Sequence, residues 1–427
     1  MKAARSAPLL RRLFRSLGPR AAPLFAVIEE ASRRDVRVYL VGGPVRDLLL
    51  GLPVRDIDVL LSDRLEDVAE ASARASSGRA RHHTRFLTAT VEGDGFRIDL
   101  SRARKEVYPT PGALPRVRPA ELEEDFERRD FSVNAMALPL DPSSGDAIVD
   151  LHGGLEDLES RRLRVLHPKS FVDDPTRLYR AARYLARLRF RLEPQTARWA
   201  REAVREGAVE TLTPARVRHE IERLLEEASS ARAATQTARL GLLAAAVPAW
   251  TLGAEGAPGL RRLDRSRSRP PWPEAAAPRV IPACGLRLLL LSLAKRQRAR
   301  VLGRLGIIEG AAARIERDLE PLRRRLRALS RPLSPGRLDA LLSGVPEPGL
   351  LLLYCTAPRS AQRRVARYAH ELRHLKSALT GEHATALGAR GRLVGELLRA
   401  ARQRTLDGRP IGEKWARRWL ARQRRIG

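Results

Sequence analysis

The sequence predicts an α+β fold, with a small mixed sheet in the first third of the chain and helices behind it. Two observations support this prediction. Within the first 150 of the 427 residues, short β-branched runs are separated by glycine turns, which is typical of strands. From about Leu155 onward, Leu, Ala and Arg recur with a helical period on long segments, and strand patterns disappear.

Four strands and one helix are expected in the front part. The helix should cover Val45 to Leu50, because it follows the turn Gly42-Gly43 at the end of a strand. The strand segments are apolar runs bounded by turn residues, and they are Val36 to Val41, Ile57 to Leu61, Phe86 to Val91 and Phe96 to Leu100.

The rear part contains two long helical patterns, Pro175 to Leu192 and Pro214 to Glu227. Residues Gly253 to Pro282 interrupt the helices with glycine, several prolines and the run Arg265 to Pro271, which begins Arg-Ser-Arg-Ser-Arg. We expect a solvated linker between helical domains there. An RNA-binding tract is the alternative interpretation of the Arg-Ser run.

Basic residues outnumber acidic residues by 80 to 50, which gives a formal net charge of +30. The excess is uneven: residues 1–150 carry +1, residues 151–228 carry +3 and residues 229–427 carry +26. A charge that served only solubility would be spread evenly, so the C-terminal half is expected to bind a polyanion. The first 24 residues contain no acid, which predicts a basic leader, with an organellar transit peptide as the alternative.

Composition also excludes several classes of protein. The longest apolar stretch, Leu286 to Ala294, is interrupted by Arg287 and Ser292 and is far shorter than the roughly 20 residues of a membrane span. With only Cys284 and Cys355, a disulfide scaffold and a cysteine-based structural zinc site are excluded. Two cysteines also fit a reducing cytoplasm.

The first chemical motif is the Gly42-Gly43 turn between a strand and a helix. Glycines let the backbone approach a ligand closely, and the first N–H groups of the helix point outward. Together they can form a phosphate seat, to which Arg46 would add charge one turn inside the helix. Most turns of this kind only connect two elements, so the motif is weak by itself.

The second motif is Asp56-Ile57-Asp58. Residues at i and i+2 of a strand share one face, so both carboxylates can hold the same divalent cations, while Ile57 points into the core. Hard oxygen ligands suit Mg²⁺, and two such ions would activate an attacking hydroxyl and neutralise a leaving pyrophosphate. An isolated pair of this kind is usually a surface pair, but here a candidate phosphate seat lies 13 residues upstream.

The third motif, residues 128–137, is Arg-Arg-Asp-Phe-Ser-Val-Asn-Ala-Met-Ala. Together with the first two motifs it resembles class II tRNA nucleotidyltransferases, the family of the CCA-adding enzymes and bacterial poly(A) polymerases. Three later segments are similar to the family in the same order, namely Asp150 to Leu158, Phe171 to Tyr184 and Pro214 to Ile221. The resemblance covers about residues 36–227.

The resemblance implies a polymerase-β-like nucleotidyltransferase head with a small mixed sheet, followed by all-α neck, body and tail domains. Mapped onto this chain, the expected parts are a basic leader at 1–24, the catalytic head at 25–150, the neck with a nucleotide-selecting helix at 151–228, the body at 229–330 with its linker at 253–282, and a basic, tRNA-binding tail at 331–427.

The resemblance also implies roles for single residues. Asp56 and Asp58 are expected to be the catalytic residues and to bind two Mg²⁺ ions, and Asp99 is an open candidate for a further ligand. Asp130 would face the ribose, and Arg129 would face a phosphate. The implied nucleotide-binding residues are Gly42, Gly43, Arg46, Arg129, Asp130, Asp174, Arg177, Arg180 and Arg183.

The segment around Pro175 suggests how a base can be selected. Cytosine and adenine both present an amino donor beside a ring-nitrogen acceptor, so Asp174 can accept from the amino group while Arg177 donates to the ring. Uracil and guanine present the reverse pattern, which would face acceptor to acceptor and donor to donor. For the segment in isolation, an ion pair on the helix surface is the preferred interpretation. The family usually has Glu where Asp173 stands, so the role of Asp173 stays open.

The expected reaction is therefore in-line attack of a tRNA 3′-hydroxyl on the α-phosphate of CTP or ATP, without a template and with Mg²⁺. The alternatives are a poly(A) polymerase and a non-catalytic RNA-binding protein on the same fold. Whether C, A or both are added stays open, since in the family this choice is linked to a flexible stretch that corresponds to Arg102 to Glu124. No protein partner and no membrane are implied.

One further pattern competes with this interpretation. His370 and His374 match the His-Glu-X-X-His arrangement of zinc hydrolases. Because no third ligand follows them in the sequence, we expect a solvated helix there.

Overall fold

The computed structural model describes residues 6–141, 146–268, 278–377 and 379–424 of the chain. It divides the chain into two compact units. The first unit consists of Met1–Glu220 with Arg239–Ala246, and the second of Ile221–Ala238 with Val247–Gly427.

All strands within the described residues lie in the first unit. They are β1 Val38–Val41, β2 Asp58–Leu61, β3 Arg79–His83, β4 Thr88–Gly93, β5 Phe96–Arg102, β6 Arg104–Val107, β7 Arg116–Pro119, β8 Met136–Pro139, β9 Val149–Asp150, β10 Arg162–Leu163 and β11 Arg191–Leu192. Seven of them form one mixed sheet in the order β3-β4-β5-β2-β1-β8-β9. The pairs β6-β7 and β10-β11 form two small separate sheets.

The helices that begin before residue 247 are mostly short. They are α1 Ser6–Leu17, α2 Ala21–Ser32, α3 Gly43–Leu50, α4 Leu65–Ala75, α5 Leu122–Glu127, α6 Gly154–Glu159, α7 Ser170–Asp173, α8 Thr176–Leu188, α9 Pro194–Arg205, α10 Pro214–Glu226, α11 Ser230–Arg239 and α12 Leu242–Ala246.

The rest of the described chain is helical. Its helices are α13 Gly253–Ser268, α14 Val280–Leu290, α15 Lys295–Arg304, α16 Glu309–Leu319, α17 Leu322–Ser330, α18 Pro335–Leu342, α19 Glu347–Thr356, α20 Arg359–His370, α21 Gly381–Ala386, α22 Arg392–Leu406 and α23 Glu413–Arg424. The predicted α+β class, with a mixed sheet in front and helices behind, is confirmed.

The sheet is built around β1, which is buried on both faces. This strand pairs antiparallel with β2 and β8, while β2 pairs in parallel with β5. The four predicted strands and the predicted helix after Gly42 are all present, with ends shifted by at most two residues. A continuous apolar run predicts a central strand because side chains on both faces of such a strand are buried.

The predicted basic leader is wrong for the part that the structure describes. Residues 6–24 form α1 and the start of α2, and their side chains Leu13, Leu17 and Leu24 are buried in the first unit. Phe14 stacks on Phe25 with ring centroids 4.4 Å apart. The arginines of α1 are exposed on the opposite face of this amphipathic helix, so an excess of arginine did not indicate a separate segment.

The predicted linker is also wrong for residues 253–268 and 280–282, which belong to α13 and α14. Leu260 and Leu263 of α13 are fully buried. The glycines that suggested a loop allow close packing instead, since a Cβ on Gly259 would lie 2.6 Å from Cδ2 of Leu288. The remainder of the Arg-Ser run and the prolines at 270–273 fall outside the described residues, apart from Arg265 to Ser268 at the end of α13.

Two smaller differences concern the region after Leu155. The two-residue strands β10 and β11 pair in parallel there, although no strand was expected. The predicted helix Pro175 to Leu192 is α8, which ends at Leu188 because Arg189 adopts a left-handed conformation with φ 58°.

None of the described helices is by itself long and apolar enough to cross a bilayer. Only α18 and α19 taken together reach the required length and composition, and they are bent by 117° at the break between them.

The packing of α2 predicts that the N-terminal helices stabilise the first unit. Replacing the fully buried Leu24 by Ala should lower the free energy of unfolding by about 2–5 kcal/mol, because it removes buried apolar contacts and leaves a cavity. Urea denaturation of the full chain measures this loss.

Leu52→Ala is the matched control, since Leu52 is 43% exposed. It should change the free energy of unfolding by less than about 1 kcal/mol. Equal losses for the two variants would show that α2 is not part of the core.

Candidate active site

The predicted phosphate seat is formed by the turn between β1 and α3. Gly42 caps α3 with φ 75° and ψ −135°, a conformation that favours glycine. A Cβ on Gly42 would lie 3.3 Å from Nη1 of Arg129, and a Cβ on Gly43 would lie 3.5 Å from Nη2 of Arg46. The turn therefore brings the backbone at the start of α3 beside Arg129, one of the predicted phosphate-binding arginines.

Two carboxylates meet where β2 begins. Asp58 is the first residue of β2 and lies opposite Asp99 in the parallel pairing with β5. Asp56 precedes the strand and is exposed, whereas Ile57 and Val59 are buried. The alternation expected for Asp56 and Asp58 is thus present, although the strand starts two residues later than the first of them.

The electrostatics of Asp58 reflect this crowding. Burial, followed by the negative charges of Asp99 and Asp56, raises the pKa of Asp58 to about 6, although Arg129 and Arg180 act in the opposite direction. Asp99 itself is held in place by the Thr90 hydroxyl, which donates to it at 2.7 Å.

Arg97 is a second partner of Asp99. Its Nη2 lies 3.0 Å from Oδ1 of Asp99, because residues i and i+2 share a face of β5. The Asp99 carboxylate raises the pKa of the Arg97 guanidinium. The structure therefore places Asp99 beside Asp58 and also shows a competing basic partner for it.

Two cavities adjoin these acids. The larger, of about 390 Å³, is lined by residues that include Gly42, Asp58, Asp99 and Arg129. The smaller, of about 260 Å³, is lined by a set that includes Asp56 and Asp99 together with the basic residues Arg20, Arg55 and Arg97. Asp99 and Arg97 line both cavities, so Asp99 lies between two pockets that contain basic side chains.

The donor set fits a hard divalent cation. Mg²⁺ binds carboxylate oxygens and completes its octahedral shell with water and substrate phosphates. Within the described ranges, no group of three or more His, Cys, Asp or Glu side chains is arranged as a closed metal site. A cation beside Asp58 would relieve the repulsion that raises its pKa, and it would take further ligands from the substrate.

Arg46 has a buried set of partners. Its side chain is 2% exposed, donates to Asp47 at 2.7 Å and to the side-chain oxygen of Asn134 at 2.7 Å, and lies over the Tyr184 ring at 5.1 Å. These contacts connect α3 to the third motif. The expected contact of Arg46 with a triphosphate stays a prediction.

The buried Asp130 forms an ion pair with Arg180, whose side chain is partly exposed. Nε of Arg180 donates to Asp130 at 2.8 Å, and the side-chain amide of Asn134 donates to the other carboxylate oxygen at 2.9 Å. Burial alone would raise the pKa of Asp130, but the Arg180 charge and these hydrogen bonds hold it below its usual value. Asp130 raises the pKa of Arg180 in turn, so both groups are charged.

Asp125 holds the two arginines of the third motif. It accepts from Arg128 at 2.7 Å through one oxygen and from Arg129 at 2.8 Å through the other. Arg129 also donates to the backbone carbonyl of Asn134 at 3.3 Å. The side chain of Arg129 is therefore fixed next to Gly42, where it can contact a phosphate.

The predicted base-selecting residues surround the start of α8. Oδ1 of Asp174 accepts from the Thr176 hydroxyl at 2.7 Å and from Arg216 at 2.6 Å. Arg177 is 4% exposed and donates to the Ser170 hydroxyl at 2.6 Å and to the backbone carbonyl of Arg128. Arg177 thereby connects α8 to the third motif.

Arg183 pairs with a residue of α10 rather than with the base-selecting residues. Its Nη1 donates to Glu220 at 2.8 Å, and both side chains are buried. Its predicted contact with a nucleotide remains untested. Asp173, whose role was open, offers its backbone carbonyl to the N–H of Gly112 at 3.3 Å.

Sequence reasoning did not assign several residues that shape this site. Asn134 lies inside the third motif, and its position there was the available signal. The others are Arg97, Asp125, Tyr184 and Arg216. Arg97 and Asp125 contact residues two to four positions away, whereas Tyr184 and Arg216 contact residues that are distant in sequence. The helix expected over His370 to His374 is present only at its first residue, because α20 ends at His370 and His374 lies in a following 3-10 turn.

Comparison with known proteins identifies the family. Residues 38–164 match the Poly A polymerase head domain family. Over 365 residues the chain is 31% identical to an A-adding tRNA nucleotidyltransferase of Halalkalibacterium halodurans, which covers 84% of this chain and 82% of that protein. The chain belongs to the tRNA nucleotidyltransferase family. It is also 41% identical, over 40% of this chain and 46% of the other, to a CC-adding tRNA nucleotidyltransferase of Deinococcus radiodurans.

Solved structures support the same assignment for this nucleotidyltransferase. A Thermotoga maritima CCA-adding enzyme complexed with tRNA shares the fold with a TM-score of 0.78 and 27% identity, over 99% of this chain and 100% of that chain. Complexes of a CCA-adding enzyme with CTP and with ATP give TM-scores of 0.80 and 0.78, each at 27% identity. These cover 99% and 97% of this chain and 99% and 96% of theirs. The polymerase-β-like head followed by helical domains is thereby confirmed.

Because Asp58 is close to other carboxylates, replacing it by Asn should stabilise the folded protein in a pH-dependent way. Since the pKa of Asp58 is raised from 3.8 to about 6, its ionised form destabilises the folded nucleotidyltransferase above pH 6, and this penalty is absent below the unfolded pKa. Without divalent cations, the variant should raise the free energy of unfolding at pH 8 by roughly 1–3 kcal/mol.

The gain should shrink as the pH falls from about 7 to about 4, and urea titrations across this range measure it. Asp94→Asn is the control, because Asp94 is exposed in the turn between β4 and β5. A gain that is the same for both variants, or independent of pH, would contradict the proposed repulsion.

Proposed function

We propose that this enzyme is a template-independent tRNA nucleotidyltransferase that adds C, A or both from CTP and ATP to the 3′ end of tRNA. One observation carries the proposal: Asp58 and Asp99 lie side by side at a cavity that the Gly42 turn and Arg129 also border. This arrangement places carboxylates for divalent cations next to donors for phosphate. The relatives named above support the nucleotide and RNA substrates.

The chemistry follows from the positions of these groups. Arg129 and the first N–H groups of α3 would bind the triphosphate and hold the α-phosphate near the carboxylates. Asp56 and Asp58, with Asp99 as the further candidate, would hold two Mg²⁺ ions. When bound, Mg²⁺ supplies activation of the attacking hydroxyl and neutralisation of the pyrophosphate. No side-chain nucleophile is needed, because the 3′-hydroxyl of the RNA attacks directly.

Selection of the base would rest on the start of α8. Asp174 can accept from the exocyclic amino group that cytosine and adenine share, and Arg177 can donate to the adjacent ring nitrogen. Asp130, which is ionised in its pair with Arg180, is placed to accept from a ribose hydroxyl. These groups distinguish C and A from U and G by hydrogen-bond polarity, so no template strand is required.

The helical second unit would hold the tRNA backbone. Residues 229–427 carry nearly all of the excess positive charge, and Arg323, Arg324 and Arg327 of α17 are exposed. Other arginines of this unit are structural, such as Arg287, which pairs with the buried Asp318 at 2.7 Å. The exposed arginines can bind phosphates of a folded RNA without reading its sequence.

We place the reaction in the cytoplasm. Cys284 and Cys355 are free thiols in the structure, as a reducing compartment keeps them. Burial, together with the hydrogen bond between Cys284 and Cys355, raises the pKa of Cys284 well above its usual value. Both side chains are fully buried, which is typical of unreactive structural cysteines.

Incubation with single nucleotides tests the proposed reaction. tRNA that lacks its terminal CCA, and tRNA that ends in CC, are each incubated with Mg²⁺ and one labelled NTP. We expect short, defined extension with CTP, ATP or both, and negligible extension with UTP and GTP. A long ladder of A residues would instead show a poly(A) polymerase.

Asp58→Ala separates the enzyme from a non-catalytic RNA-binding protein. It should reduce incorporation by at least about 1,000-fold, because the cation site is lost, while binding of tRNA is retained. Asp94→Ala is the control and should keep full activity. Undiminished incorporation by the Asp58 variant would overturn the assignment of the catalytic carboxylate.

The charge distribution predicts salt-sensitive binding of tRNA. Between about 50 and about 200 mM KCl, the affinity should fall by at least roughly tenfold, since bound phosphates release condensed cations. Fluorescence anisotropy of labelled tRNA measures this change. Binding of ATP to the nearly neutral head serves as the internal comparison and should weaken less, whereas a salt-independent affinity for tRNA would contradict the proposed basic surface.

A further inference from the structure

The stretch between Arg102 and Glu124 is a hairpin whose tip reaches the base-selecting segment. Strands β6 and β7 pair antiparallel from Arg104 opposite Pro119 to Val107 opposite Arg116. The tip residue Gly112 adopts φ 70° and donates its N–H to the carbonyl of Asp173 at 3.3 Å. The hairpin is thus docked on the residue directly before Asp174.

One arginine joins the hairpin tip to Asp174. Nη1 of Arg216, in the first turn of α10, donates to the Gly112 carbonyl at 2.6 Å, and its Nη2 donates to Oδ1 of Asp174 at 2.6 Å. The Arg216 and Asp174 side chains are only 21% and 19% exposed. A planar guanidinium can make two such bonds in fixed directions at once, which a lysine ammonium cannot reproduce.

The hydrogen bonds to Asp174 are unequally divided between its two oxygens. Oδ1 accepts from Arg216, from the Thr176 hydroxyl and from the Thr176 N–H. Within the described residues, Oδ2 of Asp174 accepts no hydrogen bond from the protein. The saturated oxygen fixes the rotation of the carboxylate, and the other oxygen is left to accept from a ligand.

We propose that Arg216 is a positioning residue for base selection. By bridging the Gly112 carbonyl and Oδ1 of Asp174, it orients the carboxylate so that Oδ2 accepts from the exocyclic amino group of the incoming base. The proposal rests on the proposed function, in which Asp174 distinguishes C and A from U and G. Without the bridge, only the two hydrogen bonds from Thr176 hold the carboxylate. Its orientation is then less fixed, and the rejection of UTP and GTP weakens more than the reaction with the correct nucleotide.

A substitution at Gly112 can break the bridge at the hairpin end without changing Arg216. A Cβ on Gly112 would lie 2.1 Å from the Thr211 hydroxyl oxygen, and the positive φ disfavours any other residue. Gly112→Ala should therefore displace the hairpin tip while leaving both Arg216 and Asp174 in the chain. Its effect on base selection should match that of an Arg216 variant.

The test compares Arg216→Lys, Arg216→Gln and Gly112→Ala with the wild-type chain. Single-turnover assays give kcat/KM for CTP, ATP, UTP and GTP on tRNA substrates. For all three variants we expect the ratio of correct to incorrect nucleotides to fall by roughly 5- to 20-fold. Arg201→Lys is the control, because Arg201 is exposed on α9, and it should keep the wild-type ratio.

Two further measurements keep the outcomes distinct. Thermal denaturation of each variant shows whether it is folded, and a parallel loss for all four nucleotides would indicate a merely structural role and overturn the proposal. Equilibrium binding of labelled ATP and UTP gives the same discrimination without turnover. If the wild-type chain incorporated no nucleotide, the proposed function would fail, while this binding ratio would still decide the role of Arg216. If Arg216→Lys and Gly112→Ala kept the wild-type ratio of correct to incorrect nucleotides, the positioning role of Arg216 would be refuted.

Discussion

A buried polar network around Asp130 holds the parts of the active site together. Asp130 accepts from Arg180 of α8 and from Asn134, and Asn134 in turn accepts from Arg46 of α3. Three segments that are far apart in sequence thereby share one set of hydrogen bonds, with the Tyr184 ring packed against two of the guanidinium groups. Asp130, Asn134 and Arg46 are buried, and a buried polar group that loses its partner costs free energy, so the network permits little change.

Around this network, the sheet imposes an unfavourable arrangement of charge. The parallel register of β2 and β5 sets Asp58 directly opposite Asp99, and two carboxylates at this distance repel each other. Arg129 and Arg180 offset part of the repulsion, but the raised pKa of Asp58 shows that some of it persists. This repulsion destabilises the folded chain at Asp58, and a cation bound there, as proposed, would relieve it.

The elements that sequence patterns missed were those whose partners are distant. Arginine-rich composition suggested a separate leader, yet Leu13 and Leu24 are buried in the first unit. Glycine and proline suggested a linker, yet Gly259 allows α13 to approach Leu288. In both cases local composition was ambiguous, because the same residues are used in exposed loops and in closely packed helices. Only the presence of an apolar neighbour distinguishes the two.

The sequence by itself determined the fold class and the local chemistry: Gly42 before a helix, Asp58 at the start of a strand, and Asp174 beside Arg177 at the start of α8. These depend on the periodicity and turn chemistry of neighbouring residues. The tertiary structure decided that Asp58 faces Asp99 and that Arg216 reaches Gly112, which is 104 residues away. Sheet register and helix packing bring such pairs together, and no short-range pattern records them.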